Sequence, residues 1–227
     1  CNTITHRAKL HRIALANSGI RIWAYRKRWQ RVYDNVDTID GKTPVLFLAV
    51  KAGDLQMVKD LVAAGAKCTD KSGNIVIGSS SFGSPSVLAA GLGKLDMLKY
   101  FIESCNVPVN DQEYDSRTKN NDGWSPLGAA AALGKLDVVK YMVGKGANKN
   151  IKQGSDKLTP LLEAASNGHY DIVKYLIDNK ADVTITAANG RDAYDLAKSS
   201  TIKTLLKENG LGRVTYTDNF DSYSSSY

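Results

Sequence analysis

Three histidines, His6, His11 and His169, are the side chains best suited to acid–base work near neutral pH or to metal ligation. His6 and His11 stand five residues apart, which does not set them on one helical face as an i, i+4 metal-binding pair requires. The carboxylates of Asp96, Asp137 and Asp171 recur at one equivalent place in a repeated pattern instead of converging. That place is near the start of a helix candidate, where negative charge meets the helix dipole favourably. Cys1, Cys68 and Cys105 are odd in number and lack a CxxC spacing, so Cys68 and Cys105 are expected to be reduced structural residues in a reducing, intracellular compartment. The stretch 78–83 holds two glycines but no following Lys, which leaves a nucleotide loop unsupported. No nucleophile, metal or cofactor set emerges. The chemistry on offer is binding.

One binding feature is electrostatic. The chain of 227 residues has a formal net charge of +7. Residues 1–39 hold eight Arg or Lys against two Asp, whereas the remainder holds 22 against 21. No acidic residue occurs from Arg7 to Tyr33. Ile22, Tyr25, Trp29 and Val32, spaced 3, 4 and 3, form one face of a helix. Arg21, Arg26, Lys27, Arg28 and Arg31 make a basic knot around it. The apolar face is expected to cap whatever follows. The basic face suits RNA, an anionic membrane surface or an acidic protein patch. No apolar run approaches the roughly 18 residues needed to span a bilayer. A first residue of Cys leaves open a processed lipoprotein, removal of an organellar presequence, or a trimmed chain.

The elements that would position any site repeat. Thr159-Pro160-Leu161-Leu162-Glu163-Ala164-Ala165, then Gly168, then Ile172, Val173, Leu176 and Ile177 reads as helix, tight turn, helix. Thr159 is an N-cap, Pro160 fits the first helical position, and Gly168 ends the helix in the left-handed region. Ser125-Pro126, Ala130-Ala131 and Gly134 repeat the pattern, as do Ser84-Pro85, Ala89-Ala90 and Gly93, and Thr43-Pro44, Ala49 and Gly53. A worn fifth copy runs from Asn189 through Leu206. The turn glycines lie 40, 41 and 34 residues apart.

This pattern resembles the ankyrin repeat over roughly residues 40–210. The resemblance implies an all-α solenoid of about five helix-turn-helix repeats with hairpin fingers, preceded by the basic cap at 1–39 and followed by a flexible Ser/Tyr-rich tail at 212–227. It implies a protein–protein interaction scaffold without catalysis, and His169, after its turn glycine, as a structural residue. The concave face and fingers would carry Lys42, Lys51, Asp122, Trp124, Leu133, Leu158, Ser166, Asn167, Asn189 and Arg191. Trp124, beside Gly123, is expected at a finger tip as an anchor. The fingers before the second and third copies are about seven residues longer than the family's usual hairpin.

The family's His, which often hydrogen-bonds across repeats, is replaced by Phe47, Val87, Gly128, Leu162 and Asp195. That departure predicts the loss of a buried polar link and greater reliance on apolar packing. The alternative function is a structural subunit of a large assembly, an organellar ribosome or membrane complex, docked through the basic helix. The expected state is a monomer within a hetero-complex.

Overall fold

A computed structural model of the protein describes residues 45–63, 66–69, 75–77, 80–113 and 123–211. Lys42, Asp122, the basic residues Arg21, Arg26, Lys27, Arg28 and Arg31, and the tail at 212–227 lie outside the described residues.

The described helices follow one another in pairs: α1 (Val45–Ala52) with α2 (Leu55–Ala63), α3 (Pro85–Gly91) with α4 (Leu95–Lys99), α5 (Pro126–Ala132) with α6 (Leu136–Gly144), α7 (Pro160–Asn167) with α8 (Tyr170–Asp178), and α9 (Ala193–Leu196) with α10 (Ser200–Glu208). α4 runs on into a π-helical turn, Tyr100–Ser104. The first helices of the pairs stack as an inner layer, α1 on α3, α3 on α5, α5 on α7 and α7 on α9. In the outer layer α2 packs on α4, α6 on α8 and α8 on α10. The small pairs Ala89-Ala90, Ala130-Ala131 and Ala164-Ala165 are fully buried in the inner layer, where a side chain without bulk lets neighbouring helices approach. Leu88, Leu98, Phe101, Met142, Leu176 and Ile202 fill the space between layers, each contributing about 1.5–3 kcal/mol by burial.

Local chemistry sets the helix ends. Ser125 Oγ accepts from the Gly128 amide and Thr159 Oγ1 from the Leu162 amide, with Pro at the next position in each. In the fifth pair Asp192 replaces the Thr–Pro start, and its carboxylate accepts from the Asp195 amide at 2.9 Å. Gly53, Gly93, Gly134 and Gly168 turn the chain with φ of 71–84°. Gly134 is constrained twice, because a Cβ there would also stand 2.8 Å from the His169 ring.

The described helices make the all-α repeat stack that was expected, and its first finger holds a hairpin, in which β1 (Ile75–Ile77) pairs antiparallel with β2 (Ser80–Phe82), as the β-branched run Ile75-Val76-Ile77 favours. Two expectations need correction. Cys68 and Cys105 are not free thiols. They form a disulfide between the ends of the first and second helix pairs, with Cα atoms 6.2 Å apart. The polar link between repeats is not lost but supplied from the other side. The Glu113 carboxylate accepts from the amides of Gly83 (2.7 Å) and Ser84 (2.9 Å). One repeat on, Gln153 Oε1 accepts from the Ser125 amide and hydroxyl, both at 2.7 Å. His169 adds a third link, its Nε2 lying 3.0 Å from the Ala132 carbonyl oxygen.

Gln153 also explains Gly128. A Cβ at Gly128 would stand 1.9 Å from the Gln153 amide, which is buried and held by Ser125, so it has nowhere to swing. The position that carries His elsewhere in the family is here kept empty for a Gln from the next finger. Gly128→Ala is therefore expected to lower unfolding stability by about 1–3 kcal/mol through overpacking, despite the gain in helix propensity. Gly144→Ala, in helix α6 with nothing within 4 Å of the new Cβ, is expected to raise it by about 0.5–1 kcal/mol. Urea denaturation of the two variants beside the parent checks both signs.

Candidate functional site

The candidate contact residues that the structure describes fall into two rows, set by the ends of the inner helices. Lys51 lies in the last turn of α1, Leu133 just after α5, and Ser166 and Asn167 at the end of α7. Trp124, Leu158, Asn189 and Arg191 lie at the opposite ends, on the finger segments that lead into α5, α7 and α9. Helices of seven or eight residues put about 10–12 Å between the rows.

Lys51, Asn167, Asn189 and Arg191 are exposed, and Leu133, Leu158 and Ser166 are half-buried. Several are pre-set by local hydrogen bonds. Ser166 Oγ and Asn167 Nδ2 both donate to the Glu163 carbonyl at 3.0 Å. Asn189 Oδ1 accepts from the Arg191 amide at 3.1 Å, and the Arg191 guanidinium donates to the Asp195 carbonyl at 2.6 Å. Leu158 pairs through its backbone with Gln153, which closes the third finger. Trp124 departs from its expected place. It sits at the foot of the second finger, half-buried and packed against the core, and its carbonyl accepts from the Glu113 amide. The expectation of an exposed tip overlooked that the next residue, Ser125, is a buried N-cap, which draws its neighbour down onto the helix layer.

Sequence reasoning missed Glu163. It occupies the place that Leu88 and Ala129 hold in the preceding inner helices, yet it is only 7% exposed. Burial, with the Asp156 carboxylate of the third finger as the second cause, pushes its acid up to about 7. The available signal was a Glu in an otherwise apolar inner row.

The outer face is built differently. Tyr100, Tyr141 and Tyr175 are half-buried, as expected for rings with wet hydroxyls. Lys59 lies over the Tyr100 ring and Lys99 over the Tyr141 ring, each 5.8 Å from the centroid, so these lysines join successive repeats. Tyr141 donates to Glu103 at 3.0 Å and Lys145 pairs with Glu103 at 2.8 Å. These two hydrogen bonds hold the Glu103 acid below its ordinary range. Desolvation, with the Glu103 bond second, pushes the Tyr141 phenol up to about 12. Asp96, Asp137 and Asp171 all fall in the first turns of outer helices.

A family model described as ankyrin repeats (3 copies) matches residues 46–153, 86–187 and 146–215. The chain belongs to the ankyrin-repeat family. No curated protein matches it. Ankyrin repeats are generally protein–protein interaction modules, and proteins built from them are typically scaffolds without catalysis. In this ankyrin stack no described helix is long and apolar enough to cross a membrane.

Glu163 makes a test of the ankyrin site's electrostatics. Between its ordinary value near 4.5 and its folded value near 7, the folded protein holds a proton that the unfolded chain releases. Stability therefore falls as pH rises through that window, by on the order of 3 kcal/mol for this group. Glu163→Gln should flatten that part of the profile and stabilise the protein at pH 8. Urea midpoints at pH 5, 6, 7 and 8 for parent and variant measure both effects.

Proposed function

We propose that this chain is a non-catalytic binding module that holds a protein partner on its concave layer and fingers. The observation that carries the reading is the set of exposed polar side chains, Lys51, Asn167, Asn189 and Arg191, at the ends of inner helices whose bodies are largely buried. Such groups add nothing to the core, and three of them, Asn167, Asn189 and Arg191, are held in place by local hydrogen bonds. Side chains fixed before binding lose less entropy when a partner arrives. Trp124 and Leu158 supply half-buried apolar surface beside them. On this reading the stack comprises five repeats, with residues 1–39 covering the first.

A second reading rests on the charge of residues 1–39, which carry a surplus of six positive charges while the rest of the chain is nearly neutral. Such a segment suits docking on RNA or an acidic subunit of a large assembly.

Affinity capture from a native extract, quantified by mass spectrometry, tests both. Asn167→Arg combined with Arg191→Glu should strip specific companions by at least about tenfold, the scale of one lost charged contact. Lys174→Glu, on the outer face, should leave them in place. An unchanged companion set in the double variant would remove the concave reading. Loss confined to a variant with Arg26, Lys27, Arg28 and Arg31 changed to Glu would support the assembly subunit, and a heavy particle that collapses with RNase would identify its ligand as RNA.

A further inference from the structure

Three asparagines of this chain precede a glycine: Asn167, Asn189 and Asn209. An Asn–Gly step is open to reaction with itself, because the glycine carries no Cβ to block the approach of its nitrogen to the asparagine side chain. In a folded protein the outcome depends on where that side chain points. The glycines themselves do not distinguish the three sites. Gly168, Gly190 and Gly210 have φ of 84°, 79° and 92°, and a Cβ added to any of them would meet nothing within 4 Å beyond its chain neighbours. Each of their amides donates to a carbonyl three residues back, of Ala165, Ala187 and Lys207.

The asparagine side chains differ. Asn167 and Asn209 stand at the ends of α7 and α10 and turn backwards. Their Nδ2 atoms donate to the Glu163 and Leu205 carbonyls, four residues earlier, at 3.0 and 2.8 Å. Asn189 turns forwards. Its Oδ1 accepts from the Arg191 amide at 3.1 Å, which folds the side chain over the Gly190 peptide nitrogen between them. Asn148 makes the same forward turn, its Oδ1 accepting from the Asn150 amide at 3.0 Å. It is followed by Lys149, whose Cβ crowds the approach. Asn189 thus has both the glycine and the forward turn, whereas Asn148, Asn167 and Asn209 each have one of the two.

We propose that Asn189 is a site of spontaneous deamidation. The Gly190 nitrogen, having lost its proton to hydroxide, attacks Asn189 Cγ. Negative charge develops on Oδ1, the atom that the Arg191 N–H already holds, and a donor fixed at that place lowers the barrier. A bond forms between the Gly190 nitrogen and Cγ, the Cγ–Nδ2 bond breaks, and the side-chain amide leaves as ammonia with a proton from water. The product is a five-membered succinimide. Water adds to one of its two carbonyls and opens the ring to an aspartyl or an isoaspartyl residue. Nothing is oxidised or reduced, and the only co-reactant, water, reaches the exposed side chain. The change alters the contact row. Position 189 lies in a turn closed by the Ala187 amide donating to the Arg191 carbonyl at 2.8 Å. The isoaspartyl form lengthens the main chain of that turn by one carbon and adds a negative charge two residues from Arg191. The finger that leads into α9 is therefore remodelled with the age of the molecule, whether or not a partner sits there.

The test ages the full chain at physiological temperature at pH 7 and pH 8, folded and in urea, and reads tryptic peptides by mass spectrometry. Asn148, Asn167, Asn189 and Asn209 fall in separate peptides, 146–149, 158–174, 181–191 and 208–213. Deamidation registers as the mass of NH exchanged for O, and electron-transfer fragmentation separates isoaspartyl from aspartyl product. In the folded protein 181–191 should convert at least about tenfold faster than 158–174 and 208–213, whose asparagines must first break a hydrogen bond at a helix end. Its rate should rise with hydroxide from pH 7 to pH 8, with isoaspartyl product present. In urea the three Asn–Gly sites should react at similar rates, with Asn148 still slow. Asn189→Gln, which would need a six-membered imide, should leave 181–191 unmodified. Folded-state rates at Asn167 or Asn209 that match Asn189, a ranking that persists in urea, or an unmodified 181–191 in the parent would overturn the proposal.

Discussion

The inner helices α3, α5 and α7 each start from a buried residue, and at the first two of these the acceptor that the backbone amide must find comes from the next repeat. Ser84 and Ser125 are essentially inaccessible to water. Their amides would be costly to leave unpaired. Glu113 and Gln153, carried on the following fingers, reach back to satisfy them. The arrangement makes the fingers part of the scaffold, because the residue that anchors each finger foot also completes the helix behind it. It fixes the spacing between repeats more sharply than apolar packing does, since a hydrogen bond near 2.7 Å tolerates little sliding. Asn110 and Asn150 repeat the logic beyond the outer helices, accepting from the amides of Asn148 and Asp182.

Much of this was legible in the sequence. The Thr/Ser–Pro starts, the paired alanines and the turn glycines each have a local physical cause, and local causes survive folding. The family, the pairing of helices and the split into inner and outer layers follow from them. The inter-repeat links were not legible, because Glu113 and Gln153 lie 29 and 28 residues from the amides they serve and belong to fingers of irregular length. The Gly128 substitution looked like a lost His, whereas its meaning depends on a side chain from another repeat. Trp124 was misplaced for a similar reason. A Trp beside a Gly reads as a loop tip until the burial of Ser125 is known. The disulfide was hidden by arithmetic, since three cysteines with wide spacing carry no pairing signal.

The concave layer divides its labour along its length. Around α3 and α5 it is apolar and closed, with every residue of both helices buried. Around α7 and α9 it turns polar, with Glu163, Ser166, Asn167, Asn189 and Arg191 gathered over two neighbouring repeats. Specific recognition concentrates in such places, because a stiff stack can hold a few polar groups at fixed separations while the rest of the surface supplies shape.

The bridge between Cys68 and Cys105 closes a covalent ring around everything between them: the first long finger with its β-ribbon, the whole of α3 and the whole of the second outer helix with its π-helical turn. A peptide bond cut anywhere inside that ring leaves the two halves of the chain joined. A protease that nicks the finger would therefore release nothing, and the molecule would migrate intact on a denaturing gel until a reductant separated it into two pieces. The first finger is thus also the one where a cut does not divide the molecule.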